Sequence, residues 1–165
     1  MLELFLENRS LIQKLLVALL FVLALWRGGA PEKACASILL GMVSLQLVLY
    51  ELAGLDSDFS NTNLVGIVID TIGLLAFLAV SLRANRFYPM VLAAAQLVAF
   101  TSHLVQMLVE PISSLAYYLL YAMPFWFQIL ILAGGLWRHA YRASSSGHYR
   151  DWRVVPPLRA EAGYS

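Results

Sequence analysis

Of the chain's 165 residues, 61% are hydrophobic and 13% are charged, against roughly 25% charged in an average soluble domain. So few polar groups cannot cover a water-facing surface, which excludes an ordinary soluble domain and calls for one that faces lipid. The net charge of +1 and the single cysteine, Cys35, leave no support for a basic nucleic-acid surface, an internal disulfide or a multi-cysteine metal site.

Residues 1–10, MLELFLENRS, alternate apolar and charged groups and read as a lead-in at the membrane surface. Glu3 and Glu7 are acidic and no A-x-A site follows the next apolar run, so a cleavable signal peptide is not expected. Asn8-Arg9-Ser10 matches a glycosylation acceptor, a short and weak signal. Leu11 to Trp26 is apolar on all sides, which argues for spanning. Its 16 residues fall short of the roughly 20 a span needs, so it crosses only if Arg9 and Lys14 snorkel outward. The alternative is an interfacial helix followed by four spans. Arg27-Gly28-Gly29-Ala30-Pro31 ends this first run.

The second span is expected over 34–53, with Ser37, Gly41 and Ser44 as a small-residue face for close helix approach. Gln46, Tyr50 and Glu51 lie toward its far end. The following loop, LDSDFSNTN, imitates the start of a calcium loop with Asp56, Asp58 and Ser60. It then places Asn61 where glycine is needed and Ile67 where glutamate is needed, so it reads as a solvated acidic loop. The third span, 64–82, aligns Gly66, Asp70, Gly73 and Phe77. The loop RANRFYP carries Arg83 and Arg86 and leads into the fourth span, 89–109, through Pro89, a suitable early helical residue. There Gln96, Ala99, His103, Gln106 and the adjoining Glu110 recur every three or four residues and form one stripe. The fifth span, 112–137, aligns Ser114, Tyr117, Tyr121, Pro124 and Gln128, and Pro124 should kink it by freeing the carbonyl of Leu120. Trp137-Arg138-His139 reads as an interfacial anchor. Residues 138–165 read as a polar cytoplasmic tail, partly disordered, whose five arginines rest on anionic lipid.

These runs make an all-α, multi-pass helical membrane bundle of five spans. The basic residues orient it, since Lys and Arg near span ends mark the cytoplasmic side. All of the 11 except Arg9 and Lys14 lie after the first span, after the third, or in the tail. The C-terminus is then cytoplasmic and the N-terminus outside, in the plasma membrane or, for a bacterium, the inner membrane. If the first run lies on the surface instead, all 11 are inside.

Orientation places the polar groups in depth. Asp70 lies roughly 9 Å below the outer end of the third span and His103 roughly 10 Å below Glu110, at about 1.5 Å per residue. Glu51, Asp70, His103, Gln106 and Glu110 all fall in the outer half, beside Tyr117 and Tyr121. Ionisable groups inside a membrane cost roughly 2.5–3.5 kcal/mol each and face a bundle interior or a water-filled cavity. Together these residues describe a polar cavity open to the outside. Each also has a plainer reading. Gln96, Gln106 and Gln128 serve as inter-helix hydrogen bonds. Glu51 and Glu110 snorkel to the interface, and the tyrosines belong to an aromatic belt. Asp70 and His103 reach water only through a cavity, so they are either a functional pair or a hydrogen bond that sets helix register.

Other chemistries lack their parts. Bis-histidine haem needs a second histidine at the depth of His103, but His139 lies at the opposite face and His148 in the tail. No H-E-x-x-H spacing occurs. Ser102 adjoins His103 but points elsewhere on a helix, and Cys35 lies near the other end. No cofactor and no metal are therefore expected. The first functional expectation is a non-enzymatic accessory or scaffold subunit of a membrane assembly, because five short helices make a thin wall around any substrate route. The alternative is a small transporter or proton-linked binding protein using Asp70 and His103. Expected partners are the lipid bilayer and a membrane protein or second copy of the chain, with no nucleic acid.

Overall fold

A computed structural model describes residues 2–52, 59–108, 114–146 and 152, with side chains over 8–50, 64–105, 123–144 and at 152. Five α-helices follow one another: α1 Leu2–Arg27, α2 Ala30–Leu47, α3 Phe59–Arg83, α4 Tyr88–Leu108 and α5 Ser114–Ser146. A π-helical turn, Val48–Leu52, extends α2. Among the described residues there is no strand, only an isolated antiparallel bridge between Ala84 and Trp152.

Among the described residues, four helices carry segments long and apolar enough to cross a membrane: Asn8–Arg27, Ala30–Tyr50, Leu64–Arg83 and Tyr88–Val105. The first differs from the sequence expectation. Residues 2–10 are not a separate lead-in but the opening turns of α1, because Leu, Glu and Arg favour helix and no glycine or proline precedes Gly28. The apolar segment thereby gains a 20-residue length. At its end Gly28 donates its N–H to the carbonyl of Ala24 at 2.9 Å. A Cβ at Gly28 would stand 2.5 Å from that carbonyl oxygen, so only glycine permits the tight turn. Gly29 caps α2, with Pro31 and Glu32 in its first turn, where a missing N–H is harmless and a carboxylate suits the helix dipole.

Two other boundaries shift. The membrane-length segment of α3, Leu64–Arg83, matches the expected span 64–82, but the helix itself already begins at Phe59, within the expected loop. The helix α5 runs past Trp137 to Ser146, so the tail expected from residue 138 starts as helix; no breaker interrupts it before Gly147. It contains 33 residues, about 50 Å of helix, and runs through Pro124.

Each helix packs against its neighbour in sequence, and α5 returns to α1, which closes a ring; α2 also touches α5. The apolar core is built from Val17, Leu20 and Ala24 of α1, Cys35, Ala36 and Leu39 of α2, Phe77 of α3, Leu92 and Ala93 of α4, and Leu132 and Leu136 of α5. The core thus fills the middle of the ring, with polar side chains on either side of it.

The outer surface reverses the usual order of soluble proteins. Leu11, Leu15, Leu19, Val22 and Trp26 form an exposed stripe on α1, and Leu64, Val68, Ile72 and Leu75 do so on α3. Glu32, Gln96, Ser102, His103 and Gln128 are buried. Apolar groups outside and polar groups inside is the distribution that lipid as solvent demands. The small-residue face of α2 lies on this outer surface and is not used for packing within the bundle. Ser37, Gly41 and Ser44 are exposed, and nothing lies within 4 Å of a Cβ built at Gly41. The helix instead buries Cys35, Ala36 and Leu39.

Candidate functional site

Four polar side chains from α3, α4 and α5 join in one hydrogen-bonded chain. Asp70 and His103 face each other across the α3–α4 pair, with His103 Nε2 3.1 Å from Asp70 Oδ2. A carboxylate only accepts, so Nε2 is the donor. Gln96, two turns before His103 on α4, donates from Nε2 to Asp70 Oδ1 at 3.0 Å and to the Asp70 carbonyl at 3.3 Å. Gln128 of α5 donates from Nε2 to Gln96 Oε1 at 2.5 Å. The Asp70 carboxylate decides the orientation of both amides. Because it only accepts, the Gln96 nitrogen must point at it, which leaves the Gln96 oxygen to accept from Gln128.

The local sequence makes this chain possible. Gly66, one turn before Asp70, has no side chain, and a Cβ there would stand 2.8 Å from His103 Cε1 and 3.2 Å from Nε2. The imidazole therefore lies directly on the α3 backbone. One turn after Asp70, Gly73 gives the same room to Met42 of α2, whose Sδ would be 2.5 Å from a Cβ. Thr71 and Ser102 turn their hydroxyls onto the carbonyls of Ile67 and Ala99, which satisfies them within their own helices.

The chain of polar groups borders a cavity of about 340 Å³. Its wall includes Asp70, Gln96, His103 and Gln128, with Ile69 and Phe125 as apolar neighbours. The helix α1 contributes Arg9, Ser10, Gln13 and Lys14, and the end of α2 contributes Gln46 and Tyr50. Tyr50 sits in the π-helical turn, a local widening that recurs at functional sites. Arg9 and Lys14 are half-buried and line this cavity instead of pointing away to an interface. The reason is the added length of α1, whose 20-residue apolar segment does not need those side chains stretched outward to reach a crossing length.

Of the residues singled out in the sequence, Asp70 and His103 are brought into contact, and Gln96 and Gln128 extend them into a network. Glu51 lies in the π-helical turn, Gln106 in α4 and Tyr117 in α5, but their side chains fall outside the described residues. Glu110 falls wholly outside them. Sequence reasoning passed over Arg9 and Lys14 as wall residues, and also Glu32, which is fully buried at the other end of the bundle and ion-pairs with Arg86. The signal for Glu32 was available: an acid just after a proline marks a first helical turn, which is packed where helices converge.

Chemically, Asp70 offers acceptors, His103 offers a donor or acceptor according to its proton, and the two glutamines offer a fixed donor–acceptor sequence. Such a set can bind a small hydrogen-bonding molecule or hold a proton. No third acidic, histidine or cysteine ligand joins Asp70 and His103 among the described residues. Compared with models of known protein families, with curated proteins and with solved structures, the chain matches none.

Proposed function

We propose that the protein is a five-span membrane protein, with its N-terminus outside and its C-terminus cytoplasmic, that binds a small polar solute in the cavity bordered by Asp70 and His103. It acts as a small transporter or proton-linked binding protein. The observation that supports this most is the hydrogen-bonded chain from Gln128 through Gln96 to Asp70 and His103 on the wall of a cavity of about 340 Å³. Inter-helix hydrogen bonds alone need no cavity, and a purely structural network would be closed over by apolar side chains. Two cationic side chains, Arg9 and Lys14, and one carboxylate, Asp70, favour an anion or zwitterion with a hydrogen-bonding group. The fifth span is α5, whose 33 residues exceed the roughly 20 a crossing requires.

The test is thermal stabilisation of the purified protein in mild detergent by a panel of small organic anions, zwitterions and sugars. A stabilising solute whose effect disappears in Gln96→Leu, while the variant still folds, supports the reading. No stabilisation by any class rejects it.

A second reading, an accessory subunit of a membrane assembly, is favoured by one feature. The Ser37–Gly41–Ser44 face of α2 is open and small enough for another helix to lie against. Co-purification of a stoichiometric membrane partner that Gly41→Leu releases supports this second reading.

A further inference from the structure

At the other end of the bundle, between the α3–α4 loop and the last turns of α5, lies a second cavity of about 450 Å³. It is separate from the one assigned above and none of its wall residues is shared. Three arginines, Arg86, Arg138 and Arg142, line it, together with His139 and a single carboxylate, Glu32. The carboxylate is fully buried. Its Oε1 takes an ion pair from Arg86, which fixes that guanidinium at the cavity wall, while Oε2 has no hydrogen-bond partner among the described residues. A buried carboxylate oxygen left without a donor is costly, so Glu32 Oε2 calls for an O–H. The arginine side chains on the same wall suit an anion with the geometry of phosphate beside it.

The rim shows where such a group comes from. Phe87, Trp137 and Tyr141 are exposed at 73%, 77% and 68% around this end of the bundle. Large aromatics at that level form the belt of a membrane–water interface, and basic cavities between helices on the cytoplasmic side suit anionic headgroups. We propose that this cavity binds a phosphodiester carrying a neighbouring hydroxyl, supplied as the headgroup of an anionic glycerophospholipid. The arginines hold the phosphate, and the headgroup hydroxyl donates to Glu32 Oε2. The proposal rests on the helices crossing a membrane and is independent of any solute in the Asp70–His103 cavity.

The test uses the full chain in neutral detergent, with lipid retention read by native mass spectrometry and affinity by thermal shift. The probes are phosphatidylglycerol, phosphatidylmethanol (the same phosphodiester without the hydroxyl), phosphatidylcholine, and deacylated glycerophosphoglycerol as a soluble source. Phosphatidylglycerol is expected to bind best, and phosphatidylmethanol roughly tenfold more weakly for want of one hydrogen bond to a charged group. Arg138→Gln/Arg142→Gln, at exposed positions, is expected to lose tenfold or more. Arg27→Gln, at the same end but outside the cavity, keeps wild-type binding; Arg138→Gln alone serves if the double variant is unstable. Glycerophosphoglycerol binding as well as the lipid would keep the site and assign its source as a soluble phosphodiester. Equal binding of phosphatidylglycerol and phosphatidylcholine, or an equal loss in Arg27→Gln, overturns the site. Equal binding of phosphatidylglycerol and phosphatidylmethanol overturns the role of Glu32 and the proposal with it.

Discussion

Breaking the Asp70–His103 contact should cost less than the burial of an isolated ion pair suggests, and the structure says why. Removing one partner of a buried pair in a soluble protein costs about 3–5 kcal/mol because the other charge is stranded. Here Asp70 is not stranded, since Oδ1 keeps the Gln96 bond and its side chain retains 17% exposure on the cavity. In membrane proteins, polar contacts measured by double-mutant cycles average about 0.6 kcal/mol and reach about 1.7, because the unfolded chain in lipid also finds partners. The His103 side chain, at 6% exposure, sits on Gly66 and loses its packing as well when truncated. We therefore expect Asp70→Asn to cost about 1 kcal/mol and His103→Ala about 2–3 kcal/mol, part of it cavity formation. The double variant should cost less than their sum by about 0.6–1 kcal/mol. The assay is reversible unfolding in mixed micelles for the wild type, both single variants and the double variant. Costs that add within about 0.5 kcal/mol would refute the coupling, since distant independent sites add to that precision. Solute stabilisation gives a second, independent readout. A purely structural pair predicts that the double variant still responds to the solute, whereas a binding pair predicts that no variant of either residue does.

Gly66→Ala should behave as a partial His103 deletion: the new Cβ, 2.8 Å from Cε1, must push the imidazole away, costing about 1–3 kcal/mol by overpacking, and equal stability of the variant in micelle unfolding would show that His103 does not sit there. Arg86→Gln should be among the most damaging single changes, at roughly 3–5 kcal/mol, because Glu32 is then left buried without its cation; Glu32→Gln/Arg86→Gln should recover much of that loss, and no recovery would count against the pair. For topology, with an impermeant thiol reagent in intact cells and a Cys35→Ala background, a cysteine placed at Ser57 should label and one placed at Ser145 should not. Labelling at 145 but not at 57 would invert the orientation, and labelling of a cysteine at Glu3 distinguishes five spans from four.

The helices were legible because lipid imposes a coarse code: long apolar runs, separated by Arg-Gly-Gly-Ala-Pro or Arg-Ala-Asn-Arg, have no alternative structure in which to hide their backbone polar groups. Asp70 and His103 were legible for the complementary reason. An ionisable group in such a run is expensive, so its presence marks a place where the interior is polar. The same code is silent about rotation. A helix that is apolar all round gives no sign of which stripe faces inward, and α2 shows the consequence. Its small residues, Ser37, Gly41 and Ser44, looked like a packing seam, yet Cys35, Ala36 and Leu39 are the buried set. On α3 and α4 the polar residues themselves supplied the missing phase: Gly66 and Asp70 do face Gln96 and His103, while Gly73 faces Met42 of α2.

Charges near helix ends were ambiguous in a different way. Arg9 and Lys14 were read as anchors because long cationic side chains usually reach for the interface, and that inference presumed a first span of minimal length. Once α1 runs from Leu2 to Arg27, the same two residues line the cavity that Asp70 also borders. Glu32 was missed because the residues around it were read as a loop that merely ends α1. In the structure they start α2, and the first turn of a helix that enters a bundle is buried by its neighbours. The carboxylate must then bring its own cation, and Arg86 from the α3–α4 loop meets it. That one pair ties the start of α2 to the α3–α4 loop at the end proposed to be cytoplasmic, while Asp70, Gln96, His103 and Gln128 tie α3, α4 and α5 nearer the end proposed to face outside. Between them lies the apolar core around Phe77 and Leu39. A solute held at the outer cavity would therefore have to loosen that core to pass inward, so transport by this chain requires the α1–α2 and α3–α5 packing to open, and a variant that over-tightens the core should bind its solute yet fail to move it.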